Sequence, residues 1–220
     1  MPRRSAQSTR RVGRPPGGGK PADQARAELL DAAERSLLTH GYRGSTMESI
    51  AHAAGCTRTI IYRHFANRDE LMGAVVRRYT TRQARHIMDR LDDAPDLATK
   101  IVEAFVVVAT ELVDDPIYTI LSERTESGTV GGLLSAATPL VSAVDAMLDD
   151  VADGPAGEVL RPGLQTLDAA HFLILSALSL LSGQVPGSRD PAQVRRYVRV
   201  FLLPALLAHP PAAEAVFAPS

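Results

Sequence analysis

The sequence predicts an all-α protein in which a small three-helix head, containing a helix-turn-helix, is attached to a larger helical body. Two observations support this fold class. Residues 46–71 have the glycine turn and the capping residues of a short helix pair, and apolar residues recur at helical spacing along most of residues 23–208. The chain of 220 residues, 45% of them hydrophobic and 22% charged, is long enough for one large domain or two small ones.

Composition and periodicity divide the chain into four segments. We predict a disordered basic arm over residues 1–21, the head over residues 22–67, the body over residues 68–210 and a short tail over residues 211–220. Residues 1–90 contain 17 basic and 8 acidic residues, whereas residues 91–220 contain 7 and 17. The head end is therefore positive and the body negative, so the molecule should approach a polyanion head first.

The arm is rich in Gly, Pro, Ser and Arg, and its six basic residues are accompanied by no acidic one. Such a segment has too little apolar surface to fold. Arg11 and Arg14 lie in the run Arg-Val-Gly-Arg-Pro, which resembles the Arg-Gly-Arg-Pro core that enters narrow minor grooves, although Val12 departs from it. Two interpretations stay open for Arg11 and Arg14: minor-groove reading, or contact with phosphate alone.

The first predicted helix spans residues 23–40 and ends at Gly41. Its apolar stripe consists of Leu29, Leu30, Ala33, Leu37 and Leu38. We expect this helix to support the helix pair that follows. Tyr42 would pack in the same small core, or contact phosphate through its hydroxyl.

Ala51, Gly55 and Ile61 have the spacing of a helix-turn-helix. Ala51 fits where the two helices cross closely, and Gly55 fits a turn that requires positive φ, which glycine adopts without steric cost. Ile61 would plug the second helix onto the first. It would be assisted by Ile50, Ile60 and Phe65.

Capping residues agree with this register. Ser45 and Glu48 have the spacing of a capping box at the first helix of the pair, and Asn67 and Glu70 have it at the next long helix. Thr57 stands at the N-cap of the second helix of the pair. With Thr57 as cap, that helix would present Arg58, Thr59, Tyr62 and Arg63 outward.

These outward positions are the ones that enter a DNA major groove in helix-turn-helix proteins. A helix pair that only packs is the alternative. It does not explain why one face combines Arg58, Tyr62, Arg63, His64 and Arg68.

The run GCTRTIIYRHFANRDEL, from Gly55 to Leu71, resembles the recognition-helix block of the tetracycline-repressor (TetR) family. The resemblance covers roughly residues 22–75 and implies an all-helical homodimer, whose C-terminal domain binds a small ligand and thereby moves two DNA-reading heads. It assigns DNA contacts to Thr46, Thr57, Arg58, Thr59, Tyr62, Arg63, His64 and Arg68.

The body is predicted as a series of helices. Residues 68–91 form one long helix, followed by an amphipathic helix over residues 97–114 and shorter helices near residues 117–124 and 139–153. Residues 166–184 form a helix that is apolar almost all round. Residues 191–208 form a last amphipathic helix, which Pro204 should kink or end.

The last two helices, residues 166–208, are the predicted homodimer interface. A helix that is apolar on every side must be covered on every side, and its small residues would allow close approach in a four-helix bundle shared by two chains. The alternative is that these helices complete the core of a monomer. A dimer would place two reading helices roughly 34–36 Å apart, or a multiple of that, on a pseudo-palindromic operator.

A small-molecule effector would bind between the helices of the body, in an apolar cavity with few polar groups. The predicted ligand-binding residues are Phe105, Tyr118, Leu121, Met147, His171, Phe172 and Leu175. Each of these residues could equally be plain core.

Enzymatic chemistry finds little support in the sequence. It contains no Gly-rich phosphate loop, no paired Cys/His metal ligands and no nucleophile–base pair, so we expect no enzyme, no cofactor and no metal. The single cysteine, Cys56, is a small core residue or a redox sensor. One cysteine and no span of apolar residues long enough for a membrane predict a soluble cytoplasmic protein.

The sequence therefore predicts a homodimeric transcriptional regulator, most simply a repressor that a small apolar or amphipathic ligand releases from double-stranded DNA. An effector-independent regulator or activator is one alternative. The other is an architectural DNA-binding protein that uses the basic arm.

Overall fold

The computed structural model describes residues 21–122, 138–152, 160–183 and 185–212. The head consists of helices α1, Ala22–Gly44, α2, Met47–Ala53, and α3, Arg58–His64. The body begins with the long α4, Arg68–Leu91, which matches the predicted helix at both ends. No described helix has the length and apolar character required to cross a lipid bilayer.

The remaining helices follow the predicted order. They are α5, Leu97–Val107, continued by a π-helical turn Val108–Leu112; α6, Pro116–Ser122; α7, Thr138–Ala152; α8, Thr166–Leu181; and α9, Pro191–Tyr197, continued by a π-helical turn Val198–Leu202 and the short α10, Leu203–Leu206. The predicted arm and tail lie outside the described residues, apart from Pro21, Pro211 and Ala212.

Helix α1 changes direction at Gly41, whose φ of 69° and ψ of −178° are not helical. The sequence prediction that the regular helix stops at this glycine is confirmed. Leu29, Leu30 and Leu37 are buried, but Leu38 is 52% exposed, so its place in the apolar stripe was wrong. The buried stripe of α1 is therefore narrower than predicted by this one residue.

The head core extends into the body. Buried residues of α1, α2 and α3 form one hydrophobic cluster with Leu71, Val75 and Tyr79 of α4, and with Ile117 and Leu121 of α6. A boundary at residue 67 therefore divides the chain by sequence order but not by packing. Burial of this kind stabilises by roughly 25 cal/mol for each Å² of apolar surface removed from water.

A second cluster forms the centre of the body. It joins residues of α5, such as Ile101 and Phe105, with Leu173 of α8 and Val198 of the last helical stretch. Helical spacing predicts that Ile101, Phe105, Val108 and Leu112 share one stripe of the amphipathic helix over residues 97–114, and all four are buried.

The π-helical turn Val198–Leu202 lies just before Pro204. Proline has no backbone N–H and its ring displaces the preceding turn, so a wider turn accommodates it. Helix α10 then ends at Leu206, as the sequence predicted for a proline at this place. Helical spacing predicts Phe201 on one buried stripe with Val194 and Val198, but Phe201 is 48% exposed in this turn, so that prediction was wrong.

An ion pair fastens α9 to α5. Arg195 donates from Nε and from one terminal nitrogen to the two carboxylate oxygens of Glu103, at 2.8 and 2.9 Å. The hydrogen bonds from Arg195 hold the pKa of the Glu103 carboxyl below its usual range.

Glu103→Gln is expected to remove a small, pH-dependent part of the stability. A carboxyl pKa that is depressed by folding stabilises above the ordinary carboxyl pKa, and this contribution is lost as the pH falls through the folded-state pKa. The variant should be about 0.5 kcal/mol less stable than the parent near pH 7, because the pair is partly exposed. Urea unfolding should show this difference shrinking near pH 3; an equal difference at both pH values would contradict the assignment.

Candidate DNA-binding surface and effector cavity

The helix pair packs as its sequence spacing predicts. Ala51 of α2 is 3% exposed and Ile61 of α3 is fully buried, and both belong to the head core. Gly55 has φ 64°, a left-handed conformation in which a side chain would be strained. The turn therefore depends on glycine, and the predicted roles of these three residues are confirmed by the geometry.

The N-terminus of α2 is capped one residue later than predicted. Thr46 is the N-cap: its hydroxyl accepts from the Ser49 backbone N–H at 3.1 Å, and the Ser49 hydroxyl accepts from the Thr46 N–H at 2.9 Å. The Ser45–Glu48 capping box was therefore wrong.

Ser45 has turned inward instead. It is fully buried, and its hydroxyl donates to the Gly41 carbonyl at 2.9 Å and lies 3.1 Å from the Ser36 hydroxyl. These bonds tie the end of α1 to the start of α2, so Ser45 is unavailable as a cap.

The outer face of α3 is open to solvent. Thr57 has extended backbone at the N-cap position and its side chain forms no capping hydrogen bond. The exposed residues of this face are Thr57, Arg58, Thr59, Tyr62 and Arg63. The structure thus brings together five of the predicted DNA-contacting residues, and Thr46 is exposed at the neighbouring helix start.

Arg58 and Tyr62 are paired on this face. The guanidinium carbon of Arg58 lies 5.3 Å from the centre of the Tyr62 ring, and a terminal nitrogen is 3.4 Å from the phenol oxygen. This contact restricts the arginine to fewer rotamers before it meets a ligand. A guanidinium held in this way offers a planar fork of donors to a base edge.

Arg68 does not share that open face. Its Nε donates to the Ser45 carbonyl at 2.8 Å, and a terminal nitrogen donates to the Tyr42 carbonyl. Its guanidinium carbon also lies 4.3 Å from the centre of the half-buried Tyr42 ring. These donors are committed to the link between α1 and α2, so the structure gives Arg68 a structural role beside its predicted DNA contact.

The other predicted positions are placed as follows. His64 is half-buried at the end of α3, and its Nε2 is buried without a hydrogen-bond partner among the described residues. Asn67 caps α4 as predicted, because its side chain accepts from the Glu70 N–H at 2.8 Å. Arg11 and Arg14 lie outside the described residues.

Cys56 is half-buried against the head core. Burial raises the pKa of its thiol, so the reactive thiolate is less populated at neutral pH. This environment favours the small core residue over the redox sensor.

Two neighbouring apolar cavities lie between the helices of the body. The larger, about 100 Å³, lies between α4, α6 and α8, and the smaller, about 60 Å³, lies between α4, α5, α7 and α8. Both are bordered by Ile87, Val108, Leu140, Ile174 and Ala177. Tyr118 and Leu121 line the larger cavity, whereas Phe105 and Met147 line the smaller.

Three of the predicted ligand-binding residues do not line either cavity. His171, Phe172 and Leu175 are exposed on another face of α8, and the ring Nδ1 of His171 is 2.8 Å from the Leu167 carbonyl. Helix α8 is apolar on several sides, so helical periodicity could not select the side that faces these two cavities.

Helix α8 instead presents Ile174, Ala177 and Leu178 to the cavities, and α4 presents Tyr79 and Gln83. Sequence reasoning missed all five as ligand candidates. Helical spacing places Tyr79 on the inward stripe of α4 with Leu71 and Val75, so a polar group on that stripe was the available signal.

The larger cavity has a polar end beside α6, formed by Tyr79 and Gln83 with Asp115 next to them. Gln83 is buried, and its amide donates to an Asp115 carboxylate oxygen at 3.2 Å. Tyr79 is 5% exposed, and its hydroxyl has no hydrogen-bond partner of normal geometry among the described residues. Burial and the nearby Asp115 carboxylate raise the pKa of Tyr79, so the phenol is a neutral donor at physiological pH.

No group of three or more metal-ligating side chains occurs within the part of the chain that the structure describes.

Comparison with known proteins places this arrangement in a family. Residues 29–75 match the family described as bacterial regulatory proteins, tetR family. An uncharacterized HTH-type transcriptional regulator of Mycobacterium tuberculosis is 29% identical over 177 residues, which cover 80% of this chain and 82% of the relative. The HTH-type transcriptional repressor AcnR of Corynebacterium glutamicum is 33% identical over 72 residues, 33% of this chain and 38% of the relative.

A solved structure extends the similarity beyond the head. The crystal structure of a TetR-family transcriptional regulator from Pectobacterium atrosepticum superimposes with a TM-score of 0.61 at 18% identity, and the match covers 86% of this chain and 97% of the other. At that identity the superposition shows the all-helical fold. The head, residues 29–75, therefore belongs to the tetR family of bacterial regulatory proteins, and the described chain has the all-helical fold of a solved TetR-family transcriptional regulator.

Proposed function

We propose that the protein is a homodimeric repressor, which binds a pseudo-palindromic operator through two copies of α3 and leaves it when a small apolar or amphipathic molecule enters the body. The observation that carries this proposal is the exposed face of α3. It combines a pre-oriented arginine, Arg58, with Thr59, Tyr62 and Arg63 on a helix fixed by a buried isoleucine.

Recognition would follow from the chemistry of this face. Arginine donates two hydrogen bonds to the guanine edge in the major groove, and threonine and tyrosine hydroxyls reach bases or phosphates. Arg63 is exposed beside them, and its positive charge would attract the phosphate backbone of the DNA. Thr46 and Thr57 begin α2 and α3 and stand where phosphates would pass.

A second copy of the chain is the proposed occupant of the exposed face of α8. Six large hydrophobic side chains are exposed among the described residues, and four of them, Leu167, Phe172, Leu175 and Phe201, lie within the predicted interface of residues 166–208. Contiguous exposed apolar surface of this kind is typical of protein interfaces. A two-fold pairing of α8 with its copy would cover these side chains.

The effector would act through α6. Tyr118 and Leu121 of this helix line the larger cavity, whereas Ile117 and Leu121 pack in the same hydrophobic cluster as α1 of the head. A ligand that displaces α6 would therefore shift the head through direct packing. Release from DNA requires only that the ligand bind this shifted arrangement more tightly.

A DNase footprint on DNA flanking the protein's own gene, at near-physiological salt, would test the proposal. Full-length protein and a variant lacking residues 1–20 should both protect one short pseudo-palindrome. Diffuse protection that disappears with the arm would support an architectural protein instead. Protection that no small molecule in a thermal-shift screen relieves would favour effector-independent regulation.

Arg58→Ala is expected to relax sequence preference more than it weakens binding. A bidentate base contact contributes roughly 1–3 kcal/mol of discrimination, so the affinity ratio between operator and random DNA should fall about 5- to 150-fold. Fluorescence anisotropy with both DNAs measures this ratio. Arg85→Ala, at an exposed arginine of α4, is the matched control and should leave it unchanged. Equal losses on both DNAs would show that Arg58 contacts phosphate.

A further inference from the structure

The described residues that line the two cavities carry no charged side chain. None of the described residues that line them is Asp, Glu, Lys, Arg or His. A carboxylate or an ammonium group transferred into such a space would lose its hydration without gaining a partner. This lining therefore discriminates against ionised molecules.

Asp115 is the nearest carboxylate at the polar end, and its charge is already satisfied. It accepts from the backbone N–H groups of Ile117 at 2.7 Å and Tyr118 at 3.2 Å, and from the Gln83 amide at 3.2 Å. A cation is not needed to neutralise it. Its negative charge would repel an anionic ligand from the same end of the cavity.

The Tyr79 hydroxyl lies near the Asp115 carboxylate, but it forms no hydrogen bond of normal geometry with the described residues. Its side chain is 5% exposed and lines the larger cavity, and no described residue accepts from or donates to its hydroxyl with normal geometry. A buried hydroxyl without a partner is unfavourable in the empty protein, so a ligand that accepts from it would gain an interaction that water cannot supply.

The size of the space limits the ligand. Cavities of about 100 and 60 Å³ that share a wall are together comparable with an engineered cavity of about 150 Å³, which binds benzene. A compact molecule of about ten non-hydrogen atoms would fit with small movements of the shared side chains.

We propose that the effector of this protein is a compact, uncharged lipophilic molecule with one hydrogen-bond acceptor, such as a ketone, an ester or an ether, and that the Tyr79 hydroxyl donates to this acceptor. The inference rests on the proposed function, because it names the ligand class of the effector cavity. Tyr79 sets the preference for an acceptor, and the uncharged walls set the preference for a neutral molecule.

Four probes of similar size test this ligand class by calorimetric titration of the full-length protein. They are acetophenone, with one carbonyl; isopropylbenzene, its apolar isostere; benzoate, an anion; and benzylammonium, a cation. Acetophenone is expected to bind about three- to tenfold more tightly than isopropylbenzene, as one net hydrogen bond implies. Benzoate and benzylammonium should give no measurable heat at concentrations that saturate acetophenone.

Tyr79→Phe is the diagnostic variant. It should weaken acetophenone to the affinity of isopropylbenzene and leave isopropylbenzene unchanged, because only the acceptor loses its donor. The melting temperature of the ligand-free variant should change little, since the hydroxyl forms no hydrogen bond of normal geometry with any described residue. Tyr197→Phe removes a hydroxyl from α9, away from both cavities, and is the matched control.

Each other outcome overturns the inference. Binding of benzoate or benzylammonium as tight as that of acetophenone would show that the cavity accepts charge. Loss of isopropylbenzene affinity in Tyr79→Phe would show that the tyrosine supports the cavity shape instead of contacting the acceptor. Failure of all four probes to bind would exclude this ligand class, whereas the operator footprint, measured without any probe, decides the proposed function separately.

Discussion

Substituting Glu for both Phe172 and Leu175 is expected to yield a monomer with at least 100-fold lower affinity for the operator. The two side chains are 37% and 51% exposed on one face of α8, where the second copy is proposed to dock. Two pairs of like charges facing each other across a two-fold axis would remove the apolar contact and add repulsion. A single head then loses the avidity that a linked pair gains, which is about 10²- to 10⁴-fold.

Size-exclusion chromatography with light scattering at micromolar concentration measures the oligomeric state. Fluorescence anisotropy with operator DNA measures the affinity. Leu38→Glu is the matched control, because Leu38 is 52% exposed but belongs to α1 of the head. It should remain a dimer. A parent protein that is already monomeric, or a doubly substituted variant that stays dimeric, would place the interface elsewhere.

Arg68→Ala should destabilise the fold by about 2 kcal/mol, since hydrogen bonds from charged groups contribute roughly 1.5–3 kcal/mol and two backbone carbonyls lose their donor. Arg68 joins the carbonyls of Tyr42 and Ser45 to the start of α4. Urea unfolding measures the loss. Operator binding should fall only in proportion to the unfolded fraction, so it should recover at lower temperature.

Arg63→Ala provides the opposite pattern. Arg63 is exposed on α3, so its loss should leave the free energy of unfolding unchanged and weaken DNA binding at all temperatures. If Arg68→Ala retained full stability and lost affinity on every DNA alike, Arg68 would act as a DNA contact, as its place in the recognition-helix block implies.

The reading head was predictable because its geometry depends on few residues. A small residue at the crossing, a glycine in the turn and a branched residue on the second helix leave one way to pack, and Ala51, Gly55 and Ile61 occupy those places in the structure. The cap of α2 was not predictable to the residue. Ser45 and Thr46 are both good caps, and the buried bonds from Ser45 to Ser36 and Gly41 decide between them.

The inner face of α8 could not be read from the sequence for a different reason. Periodicity identifies a buried side only when the other side is polar, and α8 is apolar on both. Its neighbours therefore decide which residues meet the cavities, and they select Ile174 and Ala177 over Phe172 and Leu175. The residues assigned to the ligand on α8 belong to the proposed dimer face.

Phe201 shows a third limit. Helical periodicity assumes 3.6 residues in each turn, but the turn Val198–Leu202 is π-helical and wider. Each residue of a wider turn rotates by less than the 100° of an α-helix, so the positions in this turn depart from α-helical periodicity, and Phe201 is 48% exposed. Pro204 signalled that the helix is interrupted, but it did not indicate the direction of the rotation.

The shared packing of α1, α4 and α6 limits how this head can be transplanted. A chimera that joined residues 1–67 to the body of another regulator would leave the head without Leu71, Val75 and Tyr79, and without the α6 residues Ile117 and Leu121 that cover α1. The chimera would keep the DNA-reading residues of α3, but its head would lose the α4 and α6 residues that pack against it. A working hybrid would need the first half of α4 from this chain. It would also need substitutions in the α6 of the new body, so that this helix packs against α1.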